Sequence, residues 1–318
     1  MNDVTASAPG KFVILGEHAV VYGKPAIALA INRRFYVRVR RSDELRINNE
    51  PITFDGNPHL RYILGKNDML PVSVHMDSKI PTGSGLGSSA ALSVAFSAAM
   101  RFMNGRSADM KEISSEAFEA EYFSQGRGSP MDTSASAYGH GITLNIPGKE
   151  EDHLWDIKKN ENAWNISRID VPEMTFVVGY TGIRAATGPL VERVRKYKDS
   201  NGFAADIVNE IGSITLEGAD AIRKNDVVKL GRLMTEDHKL LSILGVSCDE
   251  LNKLVNATLP YAYGAKLTGS GGGGSMIVLT DKPDKVCEAI SSRGSVPFIV
   301  KTNVEGVKVS SNDPNDNR

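Results

Sequence analysis

The first forty residues and three later segments carry apolar patterns that are typical of strands. In residues 35–40, bulky apolar side chains alternate with arginines, as in a strand with one solvated face. Residues 72–80 predict a further strand just before a glycine-rich loop. Residues 174–179 and 276–279 are short apolar runs, which are typical of buried strands.

Longer segments carry the periodicity of helices. Residues 90–103 are nearly all apolar and small, which predicts a buried helix packed closely against a sheet. A second helix is expected over residues 110–123. In the second half of the chain, helical patterns cover residues 190–198, 204–224, 227–244 and 248–258. The chain is therefore expected to mix strands and helices in both halves.

A polar stretch divides the two halves. Residues 149–167 contain both tryptophans and show little periodicity, so a domain boundary is expected there. The predicted domains are residues 1–165, which would bind ATP and carry the catalytic groups, and residues 166–310, which would complete the cleft. The polar end of the chain, residues 311–318, is expected to be a disordered tail.

Composition and charge exclude several classes of protein. The chain has 318 residues, of which 41% are hydrophobic, enough for two domains that each have a core. Its 37 basic and 38 acidic side chains give a formal net charge of -1, which argues against a nucleic acid or an anionic membrane as partner. No apolar run reaches the roughly 18 to 20 residues that a membrane span requires.

Cysteine usage and the first residues predict a cytoplasmic, reduced protein. Cys248 and Cys287 lie far apart in sequence, and residues 1–4 carry neither a basic leader nor an apolar signal core. The six histidines show no ligand spacing, so metal binding through histidine is not expected.

A loop of glycines and serines precedes the first predicted helix. Gly83, Gly85 and Gly87 can adopt positive φ and let a ligand approach the backbone, while the helix directs free N–H groups and partial positive charge at the same point. The loop therefore predicts a cradle for a triphosphate. The alternative is a solvent-exposed turn that Ser88 or Ser89 caps.

Two known phosphate-binding motifs are excluded for this loop. A P-loop requires a lysine followed by serine or threonine after its last glycine, whereas Ser88 and Ser89 follow Gly87. The Rossmann fingerprint requires the spacing Gly-x-Gly-x-x-Gly. The glycines of this loop recur at intervals of two, so the fingerprint is absent.

Two other segments carry candidate chemistry. Residues 266–275 contain a second glycine cluster, which is either a flexible linker or a point of close backbone approach before a strand. In residues 8–24, Lys11, Glu17 and His18 flank an otherwise apolar strand, and such charges usually line a cleft or pair with each other. For His18 alone, the favoured interpretation is a hydrogen-bonded structural histidine.

These segments, together with residues 129–133 (Ser-Pro-Met-Asp-Thr), resemble the superfamily of galactokinase, homoserine kinase, mevalonate kinase and phosphomevalonate kinase over almost the whole chain. Within it the motifs are most similar to those of mevalonate kinases, particularly the archaeal forms. The resemblance implies an α+β fold of two domains with the active site in the cleft between them. The N-terminal domain would be like ribosomal protein S5 domain 2, and the C-terminal domain ferredoxin-like.

The resemblance also implies a reaction, in which the γ-phosphoryl group of ATP passes to the 5-hydroxyl of mevalonate in isoprenoid biosynthesis. It implies that Asp132 is the catalytic aspartate and Lys11 its partner, and that Ser89 and Glu121 hold Mg²⁺. The implied ATP-binding residues are Pro81, Thr82, Gly83, Ser84, Gly85, Leu86, Gly87, Ser88 and Ser89. Glu17, His18 and Thr187 match positions that contact mevalonate or order its site. Family members are often dimeric, so a homodimer is expected.

Alternatives remain for single residues and for the activity. Asp132 could instead cap a short helix, and Glu121 could be a solvated charge on a helix face. Pro130 stands where many family members have glycine, so the loop must approach its substrate differently. The alternative activities are those of another kinase or the diphosphomevalonate decarboxylase of the superfamily, or a nucleotide-binding sensor without turnover.

Overall fold

The structure is a computed structural model that describes residues 3–51, 56–67, 71–126, 128–184 and 187–312. Two β-sheets with helices packed against them form an α+β architecture, which confirms the predicted class. The strands are β1 (Asp3–Leu15), β2 (Ala26–Arg41), β3 (Arg46–Ile47), β4 (Glu50–Pro51), β5 (Val72–Ser78), β6 (Gly141–Leu144), β7 (His153–Lys159), β8 (Asn162–Arg168), β9 (Thr175–Tyr180), β10 (Gly264–Thr268), β11 (Ser275–Leu279), β12 (Val296–Lys301) and β13 (Lys308–Asn312). The helices are α1 (Pro58–Lys66), α2 (Ser88–Met103), α3 (Met110–Gln125), α4 (Met131–Tyr138), α5 (Thr187–Ser200), α6 (Gly202–Arg223), α7 (Val227–Ile243), α8 (Asp249–Thr258) and α9 (Pro283–Ser291).

The first sheet is built around the long strand β2. One edge of β2 pairs antiparallel with β1, and its other edge pairs with β6 near its start and with β5 near its end. Strands β8 and β7 extend the sheet beyond β6, whereas β3 and β4 extend it beyond β5. The C-terminal strand β13 returns to pair antiparallel with β1. Helix α2 packs on β1 and β2, so its small side chains lie where the sequence predicted close contact.

The second sheet has the strand order β10-β11-β9-β12, with every pair antiparallel. Its apolar side chains, among them Val177 and Met276, pack with Leu241 and Leu251 of the covering helices in one core cluster. Strand β10 also contacts β1 of the first sheet and helix α7. These contacts bring the second glycine cluster to the end of the first strand. None of the helices in the described ranges is long and apolar enough to cross a bilayer.

The predicted helices agree with α2, α3 and α5 to α8 to within a few residues at their ends. The polar stretch expected to be a boundary instead contains the hairpin β7–β8. Trp155 and Ile157 on one strand, and Trp164 and Ile166 on the other, recur at a period of two and are buried together. The predicted limit between residues 165 and 166 thus falls inside β8, and the domain bounds stay a prediction.

The expected tail begins in regular structure. Ser311 and Asn312 belong to β13, where they pair with Val4 and Asp3. The expectation of disorder therefore does not hold for these two residues, because β1 offers them a free edge for backbone hydrogen bonds. Residues 313–318 lie outside the described residues.

Candidate active site

A lysine and an aspartate meet between the first strand and the fourth helix. Lys11 lies on β1 with its side chain only 3% exposed, and its Nζ is 2.9 Å from Oδ2 of Asp132, which is 41% exposed. Asp132 stands in the first turn of α4, where the helix dipole favours a negative charge. The helix begins at Met131 after Pro130, so Asp132 is not its cap. A buried cation thus faces a carboxylate that remains open to solvent.

The glycine loop holds Lys11 in place. The backbone N–H of Lys11 donates to the carbonyl of Leu86 at 3.0 Å, and its Nζ is 3.4 Å from the carbonyl of Gly85. A Cβ added to Gly87 would lie 3.0 Å from Cε of Lys11, and one added to Gly10 would lie 2.9 Å from the carbonyl oxygen of Leu86. Glycine at both positions therefore lets the lysine side chain pass along the loop.

The loop has the backbone conformation that its glycines predict. Gly83, Gly85 and Gly87 have φ values of 74°, 77° and 73°, in the left-handed region. Gly87 precedes the first residue of α2, and no side chain caps that helix. The alternative of a turn capped by Ser88 or Ser89 is therefore excluded. The uncapped first turn of a buried 16-residue helix is an arrangement that favours a phosphate.

The second glycine cluster lies against the first. A Cβ added to Gly269 would be 3.6 Å from the carbonyl oxygen of Gly85, and one added to Gly271 would be 2.0 Å from that of Val246. Thr268 Oγ1 accepts a hydrogen bond from the N–H of Val13 at 3.1 Å and donates to its carbonyl at 3.0 Å. The segment is therefore a point of close backbone approach and not a flexible linker.

Glu121 and Ser89 also lie side by side. Ser89 Oγ donates to Oε1 of Glu121, Ser93 Oγ donates to the same oxygen at 3.1 Å, and Nε2 of His59 lies 3.2 Å from it. Burial by itself would raise the pKa of Glu121, but the hydrogen bonds and charge of His59 and the two serine hydroxyls outweigh it, so the pKa is lowered. The carboxylate is 16% exposed, which excludes a solvated charge on a helix face.

These two side chains are the candidates for holding a metal ion. No group of three or more histidine, cysteine, aspartate or glutamate side chains that could hold a metal occurs within the described ranges. A hydroxyl and an ionised carboxylate are nevertheless ligands that Mg²⁺ accepts when phosphate oxygens and water complete its shell. The donor set thus fits a nucleotide-bound magnesium ion and no metal held by protein alone.

His18 lies in a strained turn after β1. Its φ and ψ are 59° and -40°, and its Nε2 is 2.9 Å from the carbonyl oxygen of Ser270. Since a carbonyl only accepts, Nε2 donates, and Nδ1 carries the lone pair. Nδ1 is buried and has no hydrogen-bond partner among the residues that the structure describes. Burial lowers the pKa of His18, so the ring is neutral near pH 7.

Thr187 is the first residue of α5, and its side chain lies outside the described part of the chain, as do Ala185 and Ala186. The neighbouring Arg184 is described and lies over the glycine loop. A Cβ added to Gly83 would be 3.3 Å from Cγ of Arg184. The sequence indicated only that this turn precedes a helix, and it gave no signal that the arginine would reach the loop.

Comparison with known proteins shows the family of this chain. The profile of the GHMP kinases N terminal domain matches residues 59–140, and that of the GHMP kinases C terminal domain matches residues 219–296. The mevalonate kinase of Pyrococcus furiosus is 34% identical over 96% of this chain and 98% of its own length. The chain belongs to the mevalonate kinases. The family member from Methanothermobacter thermautotrophicus is 35% identical over 86% of this chain and 89% of its own.

A solved structure supports the fold of this mevalonate kinase family member. The mevalonate kinase of L. major, in complex with R-mevalonate, has a TM-score of 0.81 and covers 94% of this chain and 96% of its own. At 24% identity this likeness shows the fold alone. The two-domain α+β fold that the resemblance implied is confirmed by the two family profiles and by this structure.

A buried cluster of charges in this mevalonate kinase family member was missed by the sequence analysis. Nζ of Lys266 on β10 donates a hydrogen bond to Oε1 of Glu17 and lies 3.3 Å from Oδ2 of Asp237 on α7. Two signals were present in the sequence. Lys266 interrupts an apolar strand, and Asp237 occupies a position on α7 that follows the buried Leu230 and Leu233 at helical spacing. Neither signal identifies the residue with which the buried charge pairs.

Proposed function

We propose that this chain catalyses the transfer of the γ-phosphoryl group of ATP to the 5-hydroxyl of mevalonate, giving 5-phosphomevalonate and ADP. The observation that carries the proposal is the 2.9 Å contact between Lys11 and Asp132, beside a glycine loop at the start of a helix. In the reaction, the hydroxyl oxygen forms a bond to the γ-phosphorus and the bond from that phosphorus to the β,γ-bridging oxygen breaks. The hydroxyl proton passes to Asp132.

The acceptor side of the reaction belongs to Asp132 and Lys11. The carboxylate is open to solvent and can reach an alcohol, and the buried ammonium group of Lys11 lies 2.9 Å from it. The same ammonium group lowers the pKa of a hydroxyl held beside it. Proton acceptance and charge stabilisation therefore act on the same oxygen.

The nucleotide side belongs to the glycine loop. Backbone N–H groups of the loop and the first turn of α2 would bind the phosphates, and Arg184 would add a positive charge beside Gly83. Ser89 and Glu121 would hold Mg²⁺, with Ser89 turning its hydroxyl hydrogen away from Glu121. The ion, when bound, supplies neutralisation of the charge on the phosphate oxygens.

Selection of mevalonate would rest on His18 and Thr187. The buried lone pair of Nδ1 in His18 can accept a hydrogen bond from a substrate hydroxyl, and the start of α5 at Thr187 favours the substrate carboxylate. The L. major relative was solved with R-mevalonate, which supports this choice of substrate. Glu17 would order the site without touching the substrate, because its carboxyl is buried against Lys266.

A substrate screen tests the proposal. Purified protein with ATP and Mg²⁺ is offered mevalonate, phosphomevalonate, diphosphomevalonate, galactose and homoserine, and ADP release, carbon dioxide release and product mass are measured. We expect turnover with mevalonate alone and no release of carbon dioxide from its diphosphate. Turnover only with another acceptor would overturn the substrate assignment, and ATP binding without turnover would indicate a sensor. A homodimer and a cytoplasmic location stay predictions, and light scattering of the purified protein tests the first.

A further inference from the structure

Three charged side chains from distant parts of the chain are buried together. Glu17 follows β1, Asp237 lies on α7 and Lys266 on β10, and their side chains are 2%, 0% and 0% exposed. Besides its ion pairs, Nζ of Lys266 donates to the carbonyl of Leu267 at 2.9 Å. Two carboxyl groups therefore share one ammonium group in a place without solvent.

Burial opposes the negative charge of both carboxyl groups in this cluster. Burial raises the pKa of both carboxyls, that of Glu17 to about 8, although Lys266 opposes the shift. With both ionised, Oε2 of Glu17 and both oxygens of Asp237 have no hydrogen-bond partner in the described ranges. Lys266 thus provides a positive charge that both carboxyl groups contact.

Such a cluster is a poor source of stability. Desolvating charges costs several kcal/mol for each ion, and apolar replacements of similar volume are often as stable. Its location indicates another role, since the residues that follow Glu17 and Lys266 both enter the candidate active site. His18 follows Glu17 directly, and the second glycine cluster follows Lys266 within three residues.

In the part of the chain that the structure describes, side-chain contacts join β1 and the turn after it to β10 and the turn after it at three points, and the cluster is one of them. The first link joins Val13 to Thr268 through two hydrogen bonds, and the third joins Nε2 of His18 to the carbonyl of Ser270 at 2.9 Å. Along residues 13–18, the link from Glu17 to Lys266 lies between these two. It fixes the turn at His18, whose φ of 59° is unfavourable for a histidine.

Helix α7 contacts β10 and supports the same arrangement. Asp237 contacts Lys266, and the next residue, His238, accepts at Nδ1 from the N–H of Leu267 at 3.2 Å. The Nε2 of His238 is 3.1 Å from Oδ1 of Asn252. Strand β10 is therefore held at two consecutive residues by two consecutive residues of the helix.

We propose that Glu17, Asp237 and Lys266 are positioning residues, which hold His18 and the second glycine cluster in register with the Lys11–Asp132 pair. On this proposal Glu17 acts on phosphoryl transfer only through Lys266 and Asp237, and the three contact neither substrate nor nucleotide. The kinetic part of the inference rests on the proposed function.

A double-mutant cycle distinguishes positioning from direct contact. The variants are Glu17→Gln, Lys266→Met and the double variant, assayed for kcat and for the KM of mevalonate and of ATP. We expect each single change to lower kcat/KM for mevalonate by about 10- to 100-fold, as loss of a supporting contact does, and the double change to be no worse than the worse single. Losses that multiply in the double variant would show that Glu17 and Lys266 act independently of each other, and would overturn the proposal.

Loss of folding needs its own control, because Lys266→Met leaves the carboxyl groups of Glu17 and Asp237 without a counter-charge. If that variant does not fold, the same cycle is measured with Glu17→Gln and Asp237→Asn, which keep the shape of each side chain and replace its carboxyl group by an amide. Val255→Ala, a buried apolar change on α8 that keeps all three charged side chains, provides a variant of lowered stability. We expect it to keep the wild-type kcat/KM below its unfolding temperature. An equal kinetic loss in Val255→Ala would reduce the cluster to a stabilising element and overturn the proposal.

A readout without substrate separates this inference from the proposed function. In ¹⁵N NMR of histidine-labelled protein, the wild type should show the tautomer of His18 that is protonated at Nε2. We expect Glu17→Gln and Asp237→Asn to shift that signal, because the turn loses its support. An unchanged His18 signal in both variants would overturn the positioning role, whatever the substrate proves to be. Failure of the wild type to phosphorylate mevalonate would overturn the proposed function alone.

Discussion

Replacing Asp132 by asparagine removes the proton acceptor while keeping the volume of the side chain. The amide oxygen can still accept a hydrogen bond from Lys11, whose Nζ lies 2.9 Å from the carboxylate in the wild type. The ammonium group, 3% exposed, therefore keeps a partner, and the carboxylate is 41% exposed, so the ion pair contributes at most about 1 kcal/mol to stability. The variant should fold with little change in its unfolding temperature.

Its kinetic loss should be large. A positioned general base accelerates a reaction by about 10²- to 10⁴-fold, which corresponds to about 3 to 5 kcal/mol in the activation free energy. We expect kcat to fall by this factor, because the lost interaction is made in the transition state. The KM for ATP should not change, since Asp132 lies on the acceptor side of the glycine loop.

The assay follows ADP release with mevalonate at saturating ATP and Mg²⁺, together with thermal unfolding of each variant. Glu161→Gln, a change at an exposed carboxylate in the turn between β7 and β8, is the matched control and should keep wild-type activity. A loss in Asp132→Asn of less than about tenfold, in a folded variant, would refute the role of general base.

Three further predictions concern the metal, the glycine loop and pH. Glu121→Gln should raise the Mg²⁺ concentration for half-maximal activity by about tenfold or more, and a magnesium titration that matches the wild type would leave Glu121 with a structural role only. Gly87→Ala should lower kcat, since its Cβ would lie 3.0 Å from Cε of Lys11. Gly105→Ala is the control, because φ there is 66° and the added Cβ would meet nothing within 4 Å. It carries a similar backbone penalty of about 1 kcal/mol and should keep full kcat. The pKa of His238 is lowered to about 4 by burial and by the charge of Lys266, so between its ordinary value near 6.5 and 4 the unfolded chain binds the extra proton. The contribution of His238 to stability is therefore complete above pH 6.5 and is lost as the pH falls toward 4, by at most about 1.4 kcal/mol per pH unit. Chemical denaturation of the wild type and of His238→Gln across this range measures it, and parallel curves would contradict it.

The sequence by itself determined the elements whose signals are local. The apolar run over residues 90–103 predicts α2 because a helix brings residues three and four positions apart onto one face. Gly83, Gly85 and Gly87 predict the loop because few other residues adopt a positive φ at low cost. The hairpin β7–β8 carried an equally local signal, a period of two in Trp155 and Ile157, which the polar residues between them obscured.

Residue roles came from resemblance and not from spacing. Nothing in the sequence between Lys11 and Asp132 indicates that the two side chains meet, since one lies on β1 and the other on α4. The family motifs supplied that pair, and they also supplied Ser89 with Glu121. Family motifs of this kind identify residues that meet only in the folded protein, which the sequence alone does not reveal.

Only the tertiary structure decided which buried charges pair. Lys266 and Glu17 are 249 residues apart, and Asp237 reaches them from α7, which packs on β10. Periodicity extends over a few residues and shows that a charge occupies an apolar position, but the partner that makes its burial tolerable is set by how β1, α7 and β10 pack together. The same packing, which no short-range pattern encodes, brings His18 to Ser270 and one glycine segment to the other.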